Sequence, residues 1–107
     1  MAKRRPFALS FAPEAVSHFD WIEPKYHGLL RRTLKEQLIF TPTEPTRNRK
    51  PLEQPGPFDA TWELRCGPRN QFRVFYDVDA VTRTVGILAV GVKERNRLRI
   101  GGEDYEP

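Results

Sequence analysis

Basic side chains concentrate in the second half of this sequence, and they are the residues best suited to chemistry on a phosphate. The segment from residue 62 to 93 carries Arg65, Arg69, Arg73 and Lys93. RNA cleavage without a metal ion passes through a phosphorus centre that gains negative charge, and positioned cations stabilise that charge. Arginine suits this role because its planar guanidinium holds two phosphate oxygens at once. Further basic residues that we expect to bind RNA are Arg47, Arg49, Lys50 and Arg95.

The same residues also fit interpretations without cleavage. RNA binding alone would use the same cations, and Arg65 and Arg73 could instead pair across strands with Glu63 and Asp77 as solvated charges. Glu63 has two candidate roles: a general base toward a ribose hydroxyl, or a carboxylate that orients Arg73, which we prefer. Phe75 alternates in step with Arg73, so we expect it to share that face and to stack on a base.

Other common site patterns are absent from the sequence. It has no glycine loop before a phosphate-binding lysine, no metal-ligand spacing and no serine elbow. His18 and His27 could supply an acid and a base, but we expect them to be surface or helix-packing residues. The one cysteine, Cys66, allows no internal disulfide and no cysteine metal cluster. We therefore expect neither a metal nor another cofactor.

The basic residues must be positioned by a sheet. Most strand-forming residues lie between Trp62 and Lys93, and turn signals at residues 67–70 and 79–83 divide this segment into three runs. The sequence thus predicts an antiparallel three-strand meander, with one face in the core and one face charged. The third run, residues 85–92, is apolar at nearly every position, which predicts a central strand.

The first half of the chain is expected to cover that sheet. Residues 6–12 alternate as a short strand, and Pro13 and Glu14 begin a helix that Pro24 ends. A second helix is predicted from Tyr26 or His27 to about Phe40, with Leu30, Leu34 and Leu38 on one side. Residues 41–58 contain five prolines and are expected to form a connecting loop. The predicted class is α+β: an N-terminal strand, then a two-helix hairpin packed on one face of an antiparallel sheet.

Length and charge set the remaining bounds. The 107 residues predict one domain over residues 1–102, followed by an acidic tail at 103–107 that we expect to be disordered. A net charge of +4 favours a polyanion as partner. The basic opening is followed by too short an apolar run for a signal segment, and no segment approaches membrane-spanning length. We expect a cytoplasmic protein without a membrane partner.

Five segments together carry a family resemblance that covers nearly the whole chain in order. They are Ala-Pro-Glu-Ala (12–15), Arg-Asn-Arg-Lys-Pro-Leu (47–52), Trp-Glu-Leu-Arg (62–65), Phe-Arg-Val-Phe-Tyr-Asp-Val (72–78) and Ile-Leu-Ala-Val-Gly-Val-Lys (87–93). This pattern resembles the RelE/ParE superfamily of toxins from type II toxin–antitoxin systems. The resemblance implies a RelE-like fold, a cognate antitoxin as partner, and either mRNA cleavage at the ribosome or, as in ParE-like members, inhibition of DNA gyrase without nuclease activity.

The resemblance also suggests roles for individual residues. Arg73 matches the catalytic arginine of the family's central strand, and Lys93 falls where RelE-like members carry a basic residue after a Val-Gly pair. Where active members have lysines, this chain has Thr61 and Glu63. The tyrosine that they place beyond the last strand has no aligned counterpart, and Tyr105 could replace it only if the tail folds back. These departures keep a third interpretation open, a catalytically degenerate member that binds only RNA or an antitoxin.

Overall fold

The computed structural model describes residues 5–106 and places two helices on one face of a seven-stranded sheet. The strands are β1 Ala8–Phe11, β2 Arg49–Pro51, β3 Trp62–Cys66, β4 Phe72–Asp79, β5 Thr84–Glu94, β6 Arg97–Ile100 and β7 Glu103–Asp104. The helices are α1 Pro13–His18 and α2 His27–Leu38. The predicted α+β class is confirmed.

The sheet runs in the order β2-β3-β4-β5-β6-β7, and all of these neighbours are antiparallel. Strand β1 lies outside this path and pairs in parallel with the first half of β5. Strands β3, β4 and β5 are the predicted meander. The central position predicted for β5 is also confirmed, since it contacts β4 on one side and both β1 and β6 on the other.

The helices follow the predicted pattern with shorter bounds. Helix α2 ends at Leu38 rather than near Phe40, and its leucines at four-residue spacing are all buried. Helix α1 ends at His18 and continues only as a 3₁₀ turn, Phe19–Trp21, before the chain becomes extended at Ile22. The extended residues precede Pro24, which disfavours helical geometry in the residue before it. No helix within residues 5–106 is long and apolar enough to span a membrane.

The main core lies between the helices and the sheet. It is formed by α2 leucines, one face of the meander and residues from the first helical region. Trp62 and Tyr76 stack here with ring centroids 5.9 Å apart, as the side-chain alternation along β3 and β4 favours. The Tyr76 hydroxyl donates a hydrogen bond to the Pro42 carbonyl at 2.8 Å, which ties the proline-rich segment to the core.

A β-bulge in β5 explains why this strand is apolar at nearly every position. Phe75 pairs with Ala89 but Tyr76 pairs with Ile87, so Leu88 is an extra residue without a partner in β4. The bulge resets the alternation: Ile87 and Val90 both face the helices. On the opposite face a second, smaller cluster forms from Ala60, Phe75 and Ala89 with Leu52, Leu88, Leu98 and Ile100.

Two segments differ from their predicted structures. The connecting loop at residues 41–58 contains strand β2, which adds an edge to the meander through its pairing with β3. The tail expected to be disordered instead folds back, because Glu103–Asp104 pairs with β6 and the Tyr105 N–H bonds the Leu98 carbonyl at 2.8 Å. Two glycines with positive φ, Gly101 and Gly102, make the turn that returns the chain. Pro107 lies outside the described residues.

Candidate nucleic-acid interface

An open cleft of about 340 Å³ lies on the sheet face that is turned away from the helices. Its floor comes from three neighbouring strands and contains Glu63 of β3, Arg73 and Phe75 of β4, and Lys93 of β5. The three residues predicted to act in catalysis, Glu63, Arg73 and Lys93, therefore line one cleft. The walls are the loop after β2, the turn between β5 and β6, strand β6 and the folded-back end of the chain, which contribute Leu52, Gln54, Gly56, Pro57, Asn96, Leu98 and Tyr105.

Arg73 is buried in the floor of this cleft with hydrogen-bonding capacity to spare. Its exposed fraction is 7%, yet its Nε and Nη1 atoms have no hydrogen-bond partner within residues 5–106. An unpaired buried donor costs free energy that a bound acceptor would recover. Burial, with a further contribution from nearby Arg65, lowers the pKa of Arg73, while Glu63 opposes that change. The unsatisfied guanidinium is therefore well placed to bind an anion.

Glu63 lies between two cations of the same face. Its Oε1 is 3.8 Å from Arg73 Nε and its Oε2 is 3.7 Å from Lys50 Nζ. The Glu63 side chain is only 12% exposed, so its ion pair with the buried Arg73 is better shielded from solvent than a surface pair. The arrangement agrees with the preferred role for Glu63, which is to orient Arg73. The alternative, solvated pairs across the strands, is present only in part. Glu63 does pair with Arg73, but Asp77 accepts hydrogen bonds from Thr61 instead of pairing with an arginine.

Arg65 and Arg73 stand directly opposite each other in the antiparallel pair β3–β4. Like charges at opposed positions destabilise a sheet unless something neutralises them. Arg65 has no ion-pair partner in the described part of the chain, and Arg73 shares Glu63 with Lys50. The paired strands thus hold two arginines on one face, and Arg73 and Lys50 share a single carboxylate, Glu63.

A second groove shares one lining residue, Lys93, with the cleft. It adds Arg69, from the turn before β4, and Arg95, from the turn after β5. This groove has a volume of about 600 Å³. Three residues predicted to bind RNA or phosphate, Arg69, Lys93 and Arg95, therefore line one groove beside the cleft and are called the basic track; Glu94 lines the same groove.

Three of the residues predicted to contact RNA are placed less favourably. Arg49 faces helix α2, is only 5% exposed, and donates hydrogen bonds to the Gln37 carbonyl and to Thr41 Oγ1, so its predicted RNA contact is not available on this surface. Phe75 lines the cleft but is 4% exposed in the smaller apolar cluster, which leaves little ring surface for stacking. Arg47 is exposed on the loop before β2 and is not among the residues that line the cleft.

Tyr105 lines the cleft, although it belongs to the tail that was predicted to be disordered. Its backbone is held by the bond to Leu98, and the preceding Asp104 pairs with Arg99 at 3.2 Å and with Arg97 at 3.6 Å. The sequence does contain a signal for this arrangement. Alternating arginines, a Gly-Gly turn and then acidic residues predict a hairpin with cross-strand charge pairs.

The remaining titratable candidates, two histidines and one cysteine, are packed within the fold. His18 is buried, and its Nδ1 accepts a hydrogen bond from the Val90 N–H at 3.1 Å, so of the two predicted placements it has the packed one. His27 Nε2 lies 2.9 Å from the carbonyls of Phe19 and Ile22 and packs in the same helical region. Burial raises the pKa of the Cys66 thiol to about 11, which keeps it protonated at neutral pH. Among the described residues, no group of three or more histidine, cysteine or acidic side chains could hold a metal ion.

Comparison with solved structures identifies the fold. Three chains match, among them one in the crystal structure of the toxin–antitoxin complex RelBE2 from Mycobacterium tuberculosis. The match has a TM-score of 0.66 and 25% sequence identity, and it covers 87% of this chain and 98% of that chain. No family model and no curated protein sequence matches. The resemblance that the five sequence segments carry is therefore confirmed by the structure as a whole.

Proposed function

This chain is a RelE-like toxin in fold, and we propose that it acts in the cytoplasm as an endoribonuclease that cleaves translated mRNA at the ribosome. The observation that carries the proposal is the buried Arg73 guanidinium, which lines an open cleft and whose Nε and Nη1 atoms have no hydrogen-bond partner among residues 5–106. Lys93 beside it and the basic track beyond it supply further positive charge. A single-stranded RNA is a partner whose phosphates satisfy both features.

The proposed reaction uses the ribose of the substrate as its nucleophile. The 2′-hydroxyl attacks the adjacent phosphorus and loses its proton, the bond to the 5′-oxygen breaks, and that oxygen takes up a proton as it leaves. Arg73 holds the non-bridging oxygens through two N–H groups, and Lys93 stabilises the added negative charge. The preferred role of Glu63 is to keep Arg73 in place. Its less favoured role is to accept the hydroxyl proton. No metal is needed in this scheme.

We propose further that the chain has a cognate antitoxin. The matched structure is a toxin–antitoxin complex, which supports such a partner. The basic cleft and groove predict an acidic segment, extended or helical, that covers them and neutralises their charge. A short neighbouring reading frame for an acidic protein would be the first candidate, and its product should form a complex that blocks cleavage.

The direct test is cleavage of a defined mRNA by purified protein in the presence of ribosomes. New 5′ ends should accumulate with the wild-type chain and fall on the order of 100-fold or more with Arg73→Ala. Arg32→Ala is a suitable control, because Arg32 is exposed on α2 on the other side of the sheet. Absence of new ends with the wild-type protein, or equal cleavage by Arg73→Ala, would contradict the proposal.

A second candidate function is ParE-like inhibition of DNA gyrase without cleavage. It is favoured by the residues that stand where active RelE-like members have lysines. Thr61 is hydrogen-bonded to Asp77, and Glu63 places a negative charge in the cleft. Pulse labelling after induction in a bacterial host separates the two functions. An early fall in amino-acid incorporation supports mRNA cleavage, whereas a fall in thymidine incorporation with intact translation supports gyrase. If neither changes, the degenerate binding member becomes the leading interpretation.

A further inference from the structure

The cleft has a charged floor and neutral polar walls. Its charged side chains, Glu63, Arg73 and Lys93, all come from the sheet. Its walls contribute two carboxamides, Gln54 from the loop after β2 and Asn96 from the turn between β5 and β6. A nucleotide has the same division, because its phosphate is charged while its base is neutral and offers hydrogen-bond donors and acceptors at its edge.

Both carboxamides are free to bind a ligand. Neither the Gln54 nor the Asn96 side chain forms a hydrogen bond with another residue in the range 5–106. A carboxamide presents a donor beside an acceptor, so it can make a bidentate contact with a base edge that has the complementary pair, as adenine does. Leu52 and Leu98 add apolar surface to the same walls, which suits the flat face of a base.

The backbone holds each carboxamide at the cleft. Asn96 lies in a tight turn with φ of 66°, a conformation that asparagine tolerates better than most residues. The loop that carries Gln54 closes through the hydrogen bond from the Leu52 N–H to the Thr61 carbonyl at 2.8 Å. A Cβ at Gly56 would come within 2.7 Å of Leu52 Cδ1 and 3.6 Å of Phe75 Cδ1, so glycine lets this loop lie against the floor.

We propose that Gln54 and Asn96 select the base of the nucleotide that enters the cleft, with preference for adenine, the one base whose Hoogsteen edge presents a donor (N6) beside an acceptor (N7). This inference rests on the proposed function for its substrate class. It adds a division of labour: the sheet floor binds the phosphate without regard to sequence, and the two wall carboxamides decide which base is accepted. Removing them should change sequence preference more than it changes the overall rate.

Asn96→Asp is the most informative variant. Aspartate tolerates the same backbone conformation, but it replaces the amide donor with an acceptor. Asn70→Asp is the matched control, because Asn70 is also an exposed turn asparagine with positive φ, at 52°, and it does not line the cleft. Gln54→Met tests the other wall by removing the hydrogen bonds while keeping the side-chain length.

Two readouts keep the inference separate from the proposed function. The first maps cleavage of an mRNA library with randomised codons on ribosomes, and the second measures filter binding of labelled hexamers of A, C and U without ribosomes. We expect the ratio of the preferred base to the others to fall on the order of tenfold in Asn96→Asp and Gln54→Met, and to stay unchanged in Asn70→Asp.

The possible outcomes are distinguishable. Cleavage with an unaltered base preference in both wall variants would overturn the inference and leave the proposed function intact. Loss of base-selective hexamer binding in the variants, in a protein that never cleaves, would support the inference and overturn the proposed function. Hexamer binding by the wild-type chain that is equal for all three bases, without cleavage, would overturn both.

Discussion

Glu63 and Arg73 form a shielded ion pair in the cleft, with Oε1 3.8 Å from Nε. This separation is too long for a hydrogen bond, so the pair restrains the guanidinium without using its N–H donors. Removing either partner would leave the other charge poorly solvated, since their side chains are 12% and 9% exposed. The pair is thus suited to hold an arginine ready for an anion.

The first prediction concerns the shape of the Arg73 side chain. Arg73→Lys keeps the positive charge but loses the planar fork, so we expect RNA cleavage to fall on the order of tenfold or more while the fold is kept. Single-turnover cleavage on ribosomes measures this, with circular dichroism as the check on folding. Full activity in Arg73→Lys would show that charge alone suffices and that bidentate phosphate binding is not used.

The second prediction concerns Arg49, which we expect to stabilise the fold rather than to bind RNA. Its guanidinium bonds the Gln37 carbonyl in the last turn of α2, so Arg49→Met should lower the free energy of unfolding by about 1–3 kcal/mol. Urea unfolding measures the change. Lys50→Met is the control, since Lys50 lies on the same strand with 54% of its side chain exposed and should change stability little. Equal stability of Arg49→Met and the wild type would contradict the assignment.

The third prediction is a pH dependence of stability that originates at His18. Burial lowers the pKa of His18 below its usual value of 6.5, with Glu14 acting weakly in the opposite sense. The unfolded chain therefore binds more protons than the folded chain once the pH falls through about 6.5. Stability should decrease as the pH drops below that value, because a protonated Nδ1 cannot accept the bond from Val90.

Urea unfolding between neutral and mildly acidic pH tests this dependence. His18→Phe is the informative comparison, because phenylalanine can pack against Phe58 but cannot titrate. We expect this variant to be less stable at neutral pH, since the Val90 N–H loses its acceptor, and to lose the pH dependence that His18 contributes. An unchanged slope in His18→Phe would assign the pH dependence to another group.

The fourth prediction concerns the return of the chain end to the cleft. Asp104 is paired with Arg97 and Arg99, so Asp104→Asn should increase amide hydrogen exchange at Tyr105 while changing overall stability by less than about 1 kcal/mol. We expect RNA cleavage to fall as well, and Tyr105→Ala to reproduce that loss. Glu106→Gln is the control, since Glu106 is exposed near the same end of the chain. Another tyrosine, Tyr26, is unsuitable because it packs against the core.

Should Tyr105→Ala cleave as well as the wild type, the tyrosine would be a wall residue without a role in the reaction. Tyr105→Phe then separates two contributions. Retention of activity would point to the ring as the useful part, whereas its loss would point to the hydroxyl.

Local pattern determined the elements of this protein. Turn residues between alternating runs predicted the meander, and leucines at four-residue spacing predicted α2, because these signals depend only on neighbours in the chain. Alternation also placed Glu63, Arg73 and Phe75 on one face of the sheet, and the structure brings Glu63 and Arg73 together there. The order of five short segments was enough to indicate the family of folds.

Tertiary structure decided which side chains reach the cleft. Arg49 and Lys50 are adjacent in sequence, yet the pairing of β2 with β3 sends one to the helices and the other to Glu63. Phe75 is covered by residues from distant segments, and Tyr105 enters the cleft through the pairing of β7 with β6. Such long-range pairings depend on shape and packing across the whole domain, so no local pattern of residues specifies them.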